Sequence, residues 1–186
     1  MKLTTLPIIK EIWSNIRQKK ILQKHQEVAS FWEPIIENYF SGSIEHVCLK
    51  PKKSELVNKK ILWQYWGQGI IRDKLPEIVQ ICFKSVDKYK GDYDVIRLSD
   101  DTIKDYLDLP DFVLNKRNNS TFNRTFFSDL LRLSLLKTYG GVWLDATVLL
   151  SGLLPKEYCD ADYFVYQRDN NERNKKYWES SYAYYW

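Results

Sequence analysis

Apolar positions recur at helical spacing from Pro7 to Phe40 and stop at Ser41-Gly42-Ser43, which predicts a long helix with Pro34 as its one point of interruption. The pattern then changes. After a polar, lysine-rich stretch from Lys50 to Lys60, the run Ile61-Leu62-Trp63-Gln64-Tyr65-Trp66 is short, apolar and closed by Gly67 and Gly69, as expected of a buried strand. Ile78, Val79, Cys82, Phe83 and Val86 follow at three- and four-residue steps behind Pro76 and predict a helix to about Tyr89. Gly91 then turns the chain into a second strand, Tyr93 to Leu98. Ser99 is placed to cap a short helix through Tyr106, and Pro110 opens another. From Thr121 to Tyr139 the apolar residues nearly encircle a helix, which predicts burial on more than one side. Gly140-Gly141 ends it, and Val142-Trp143-Leu144 forms a third strand that delivers Asp145, with Ala146 to Leu150 as its extension.

Strands alternating with helices predict an α/β fold with a largely parallel sheet, in which ligands gather at the carboxyl ends of the strands. Trp66 and Asp145 both stand at such ends. The break between the two patterns predicts an N-terminal helical extension, 1–57, and a core domain, 58–186.

Composition refines this picture. Aromatic residues reach 15%, with seven Trp and thirteen Tyr, enough for a large aromatic core and compatible with sugar or base stacking. The formal net charge of +4 is spread along the chain without an arginine-rich patch, which argues against nucleic acid as a partner. Cys48, Cys82 and Cys159 are odd in number and widely spaced, a pattern that suits neither a disulfide framework nor a zinc site and implies a reducing, cytoplasmic setting. No apolar run approaches the roughly 18 residues of a membrane-spanning helix. Residues 1–24 do carry Lys2, Lys10, Arg17, Lys19, Lys20 and Lys24 against Glu11 alone, beside Leu6, Ile9, Ile12, Trp13 and Ile16. Such a segment is expected to form a helix whose apolar stripe packs on the core, and it also fits one that makes a peripheral contact with an anionic membrane.

An aspartate that ends an apolar strand needs a cation, a hydrogen-bond donor or water to offset its desolvation, so Asp145 is the first candidate for chemistry. Asp129 and Arg132 lie three apart, on one face of the preceding helix and among leucines. That spacing fits a structural ion pair or a constellation aimed at a polar ligand, and spacing alone leaves both open.

Ser128-Asp129-Leu130-Leu131-Arg132, followed by Lys137-Thr138-Tyr139-Gly140-Gly141-Val142-Trp143-Leu144-Asp145-Ala146-Thr147-Val148, resembles the bacterial capsular polysaccharide synthesis family. Lys60 to Gly69 and Tyr106 to Asp111 extend the resemblance, which covers roughly 59–155. That family is similar to the DXD-type sugar transferases that include yeast-type mannosyltransferases and clostridial glucosylating toxins. The resemblance implies a GT-A-like, Rossmann-like nucleotide-diphosphosugar transferase fold and a UDP-sugar or related donor. It further implies a growing capsular or surface polysaccharide, saccharide or lipid-linked saccharide, as acceptor and a bond made with retention, by which the donor phosphate assists the acceptor hydroxyl. By position, Trp66 matches the residue that stacks the base, Asp129 the carboxylate on donor hydroxyls, and Arg132 the guanidinium near the donor. Asp145 matches the first aspartate of the motif, the catalytic position and a ligand of Mn²⁺ or Mg²⁺. Thr147 replaces the second aspartate and offers the metal a hydroxyl, a poorer ligand than a carboxylate.

Tyr177, Trp178, Tyr182, Tyr184, Tyr185 and Trp186 crowd the last ten residues, which predicts a domain that is C-terminally incomplete. Two functions therefore stand side by side: an active glycosyltransferase, and a catalytically inactive or truncated donor-binding module.

Overall fold

The structure is a computed structural model that describes residues 7–44, 47–117, 119 and 122–165. The chain divides into two compact units, Cys48–Phe164 and a second comprising Met1–Val47 with Val165–Trp186. The C-terminal aromatic run, Lys2 and Leu6 lie outside the described residues.

Cys48–Phe164 is a mixed α/β unit built on a three-stranded, fully parallel sheet of order β2-β1-β3. Strand β1 (Ile61–Tyr65) is central, and all five of its residues are buried, the reason its sequence does not alternate and is apolar but for Gln64. Strands β2 (Asp94–Leu98) and β3 (Val142–Trp143) flank it, with Trp63 facing Ile96 on one side and Trp143 on the other. Side chains alternate across a strand, so Ile61, Trp63 and Tyr65 face one layer and Leu62, Gln64 and Trp66 the other.

Helices fill both layers. Helix α2 (Glu77–Tyr89) buries Val79, Cys82, Phe83 and Val86, and Val79 and Phe83 cluster with Leu75, Ala146 and Trp66. Helix α3 (Asp111–Arg117) contributes Val113 to the opposite layer. There helix α4 (Arg124–Tyr139) lays Phe127, Leu131, Leu135 and Tyr139, a stripe at four-residue steps, against Ile61, Trp63 and Tyr65. Tyr139 also anchors the lysine-rich entry segment. Its hydroxyl donates to Tyr106 O at 2.7 Å and accepts from the amides of Lys52 and Lys53 at 2.9 and 3.2 Å. A short helix α5 (Lys156–Cys159) follows.

Four sequence expectations change. Only a 3-10 turn, Ile103–Asp105, forms where a helix from Ser99 was expected, because Thr102 Oγ1 accepts from Ser99 N and donates to Ser99 O, diverting that backbone into a side-chain turn. Ala146 to Leu150 does not extend β3. Val148 N instead donates to Asp145 O at 2.9 Å and closes a turn. Helix α4 buries one stripe rather than several, and Leu133 on its outer side is 63% exposed. Lastly, helix α1 (Pro7–Phe40) runs unbroken through Pro34.

Candidate functional site

The Gly140-Gly141 turn sets the geometry from which the site follows. Both residues have positive φ, 76° and 92°, and a Cβ on Gly141 would meet Ile61 O at 2.7 Å and Trp63 Nε1 at 3.1 Å. Trp63 Nε1 donates to Gly140 O at 2.9 Å and fastens the turn to the central strand. Helix α4 therefore descends to the turn and β3 rises from it, directly beside β1. Arg132 stands seven residues before Tyr139, about 10 Å up the helix at 1.5 Å per residue. Asp145 stands four past Gly141, about 13 Å up an extended chain. The two arrive at nearly the same level, at the carboxyl edge of the sheet.

Asp129, Arg132 and Asp145 accordingly meet. Arg132 Nη2 donates to Asp129 Oδ1 at 2.8 Å and lies 3.7 Å from Asp145 Oδ1. The Arg132 and Asp129 side chains are 15% and 21% exposed, whereas that of Asp145 is 55% exposed and open to a ligand. Burial pushes the Asp129 carboxyl above the ordinary carboxylate range. Arg132 opposes that shift and the nearby Asp145 charge adds to it. Two acids around one guanidinium leave a net negative charge, suited to a ligand that brings hydroxyls or a bridging cation.

The sequence reading missed Trp143 and a second constellation. Trp143 Nε1 donates to Asp145 Oδ1 at 2.7 Å, and the Arg132 guanidinium lies 5.6 Å from the centre of its ring. Its position two residues before Asp145, on the same face of the strand, was the available signal. The second constellation surrounds Asp100, just past β2. Asp100 accepts from Tyr65 OH and from Arg117 Nη2 at 2.7 Å, and Arg124 Nε is 3.9 Å away. Burial and the bond to Asp100 push the Tyr65 hydroxyl above its ordinary pKa. Asp100, Arg117, Asn119, Phe122, Arg124 and Phe127 are among the walls of an open cavity of about 540 Å³. Asp100 follows an apolar strand as Asp145 does, which was its legible sign.

That cavity is not lined by Asp129, Arg132 or Asp145. Trp66 does not line it either, although the next residue, Gly67, packs so tightly over Tyr65 OH and Asp100 Oδ1 that a Cβ would stand 2.6 and 3.0 Å from them. The Trp66 ring itself is partly buried with Leu75, Val79, Phe83 and Ala146. Thr147 is exposed, and among the described residues no hydrogen bond or ion pair joins it or Trp66 to the three clustered side chains. No group of three or more His, Cys, Asp or Glu among the described residues is placed to hold a metal ion. Asp145 and Thr147, two residues apart, carry a carboxylate and a hydroxyl, the oxygen donors that a hard cation takes.

The chain matches the family model for capsular polysaccharide synthesis protein over residues 10–185, a span that includes every residue of the site. It belongs to that family. The Ser128–Arg132 and Gly140–Val148 blocks pointed to this family, and membership places the chain in capsule biosynthesis. No curated protein and no solved structure matches it. For this capsule-synthesis chain, no described helix is long and apolar enough to cross a membrane.

Proposed function

We propose that the chain is a glycosyltransferase with a GT-A-like fold that moves a sugar, with retention, from a nucleotide-diphosphosugar to a growing capsular or surface polysaccharide. The observation that carries this reading is the gathering of Asp129, Arg132 and Asp145 at the carboxyl edge of a parallel sheet, within a chain of the capsule-synthesis family. Such a site supplies positioning and electrostatic stabilisation rather than a nucleophile. Asp145 is the exposed carboxylate for the donor and, with Thr147, for Mn²⁺ or Mg²⁺. When bound, the cation offsets charge on the departing diphosphate. Arg132 orients Asp129 toward donor hydroxyls and brings a fixed positive charge near the phosphates.

The sugar end of the donor, a UDP-sugar by preference, lies at Asp145. Two strand spacings, about 10 Å, separate the ends of β3 and β2, so the nucleoside end reaches across the end of β1 toward Trp66 and the Asp100 recess. The acceptor is a saccharide or lipid-linked saccharide. The described cysteines are unpaired, which supports a cytoplasmic site of action.

A second reading, a donor-binding module without transfer, is favoured by Thr147, which leaves the motif one carboxylate short. Nucleoside diphosphate release from a panel of nucleotide sugars, with Mg²⁺ or Mn²⁺ present, separates the two. An active transferase releases it, and Asp145→Ala lowers the rate at least tenfold. Donor binding with no release from any sugar establishes the second reading.

A further inference from the structure

We infer that Trp143 is a positioning residue that fixes the orientation of Asp145 for its ligand, an inference that rests on the donor-site reading above. Any apolar side chain at this place in β3 would fill the layer beneath α4, but the indole does two further things. Its N–H donates to Asp145 Oδ1 at 2.7 Å, and its ring lies against the Arg132 guanidinium, 5.6 Å from centre to charge. A single rigid side chain thereby touches both the exposed acid and the cation, and sets one relative to the other.

The neighbouring strand shows that this orientation is specific. Trp63 and Trp143 face each other in the parallel register, yet Trp63 Nε1 donates to Gly140 O, before β3, and Trp143 Nε1 donates to Asp145, after it. The paired indoles clamp the two ends of one short strand. Trp63 is fully buried and secures the turn, whereas Trp143 is partly exposed beside the ligand-facing acid.

The consequence concerns how the carboxylate is divided. Both the indole N–H and Arg132 converge on Oδ1. A carboxylate has about four lone-pair directions on two oxygens, so pinning one oxygen selects the rotamer and turns the other outward. Without the indole N–H, Asp145 keeps its charge but samples several staggered rotamers, and a ligand must select one of them.

Trp143→Phe retains the ring against Arg132 and deletes the donor. It should bind UDP about tenfold more weakly by calorimetry, with a melting temperature close to that of the parent. The site-specific readout is the Trp143 indole ¹H–¹⁵N resonance, assigned by its disappearance in Trp143→Phe. It should move on addition of UDP, and it should move upfield in ligand-free Asp145→Asn, where the charged acceptor becomes a neutral amide. UDP affinity equal to the parent's in Trp143→Phe overturns the inference, and so does a Trp143 resonance indifferent to Asp145→Asn. Should Trp143→Phe fail to fold, the resonance is assigned instead from Trp143→Tyr and the Asp145→Asn comparison decides. Should the parent chain bind no nucleotide, the donor-site reading fails, while the Asp145→Asn shift still shows whether Trp143 holds this acid.

Discussion

Asp129 is a carboxylate kept in a place that disfavours its charge. Burial and the neighbouring Asp145 outweigh the stabilising Arg132, so its folded-state pKa lies above the ordinary value of 3.8. The folded chain then holds this proton more tightly than the unfolded chain, and stability contributed at this position falls as pH rises through the interval from 3.8 to the raised value. Above that interval the penalty is complete, and below it the penalty is absent. Asp129→Asn removes this titration. In urea unfolding from about pH 4 to about pH 7, the stability of Asp129→Asn relative to the parent should rise with pH and then level off. A difference independent of pH would mean that Asp129 is not strained by its setting. The three-residue spacing of Asp129 and Arg132 made their pairing legible in the sequence. Spacing put Trp143 on the face of Asp145 but did not show their hydrogen bond, nor the place of Arg117, since each depends on a side-chain direction that only packing selects: the indole toward Asp145, and the Arg117 guanidinium over Phe127 at 4.1 Å.

Among the elements, the connection from α4 to β3 matters most, because it brings helix and strand residues to one level. Its two glycines should respond differently to substitution. A Cβ on Gly140 has only Asn58 Oδ1 nearby, at 3.7 Å, so Gly140→Ala carries backbone strain of about 2 kcal/mol. Gly141→Ala adds a collision with the Ile61 carbonyl of the central strand and should cost roughly twice as much, since β1 must shift to admit the methyl group. Thermal unfolding checks the order, and equal losses would show that the close approach to β1 is relieved cheaply. The positions of β1, α2, β2, α4 and β3 were readable because each carries its own period and its own stop signal, such as Gly140-Gly141 after α4, whereas the start of α4 was set three residues too early, since Asn123 caps it by accepting from the amides of Thr125 and Phe126. The expected helix after Ser99 failed for a local reason, the competing Thr102 hydroxyl. The expected strand after Asp145 failed because a tight turn claims that backbone.

At the scale of the whole molecule, α1 stands apart in its chemistry. Lys10, Arg17, Lys19, Lys20 and Lys24 oppose only Glu11 in its first half, and Ile12, Trp13 and Ile16 are exposed beside them. The basic charge was plain in the sequence. We propose that this half of α1 makes a peripheral contact with anionic membrane. Co-sedimentation with phosphatidylglycerol-containing vesicles should recover the chain, and a Lys19→Glu/Lys20→Glu variant should be recovered several-fold less. Equal recovery of both would end that proposal and leave the donor site untouched.

On the proposed reading, the acid after β3, with the acid and guanidinium of α4, holds an activated sugar donor. Calorimetric titration of UDP and of a UDP-sugar, with Mg²⁺ or Mn²⁺, into the parent chain and Asp145→Asn tests it most directly. The parent should bind saturably, and Asp145→Asn at least tenfold more weakly at an unchanged melting temperature. Absence of binding by the parent under either metal, or equal affinity in Asp145→Asn, would contradict that reading.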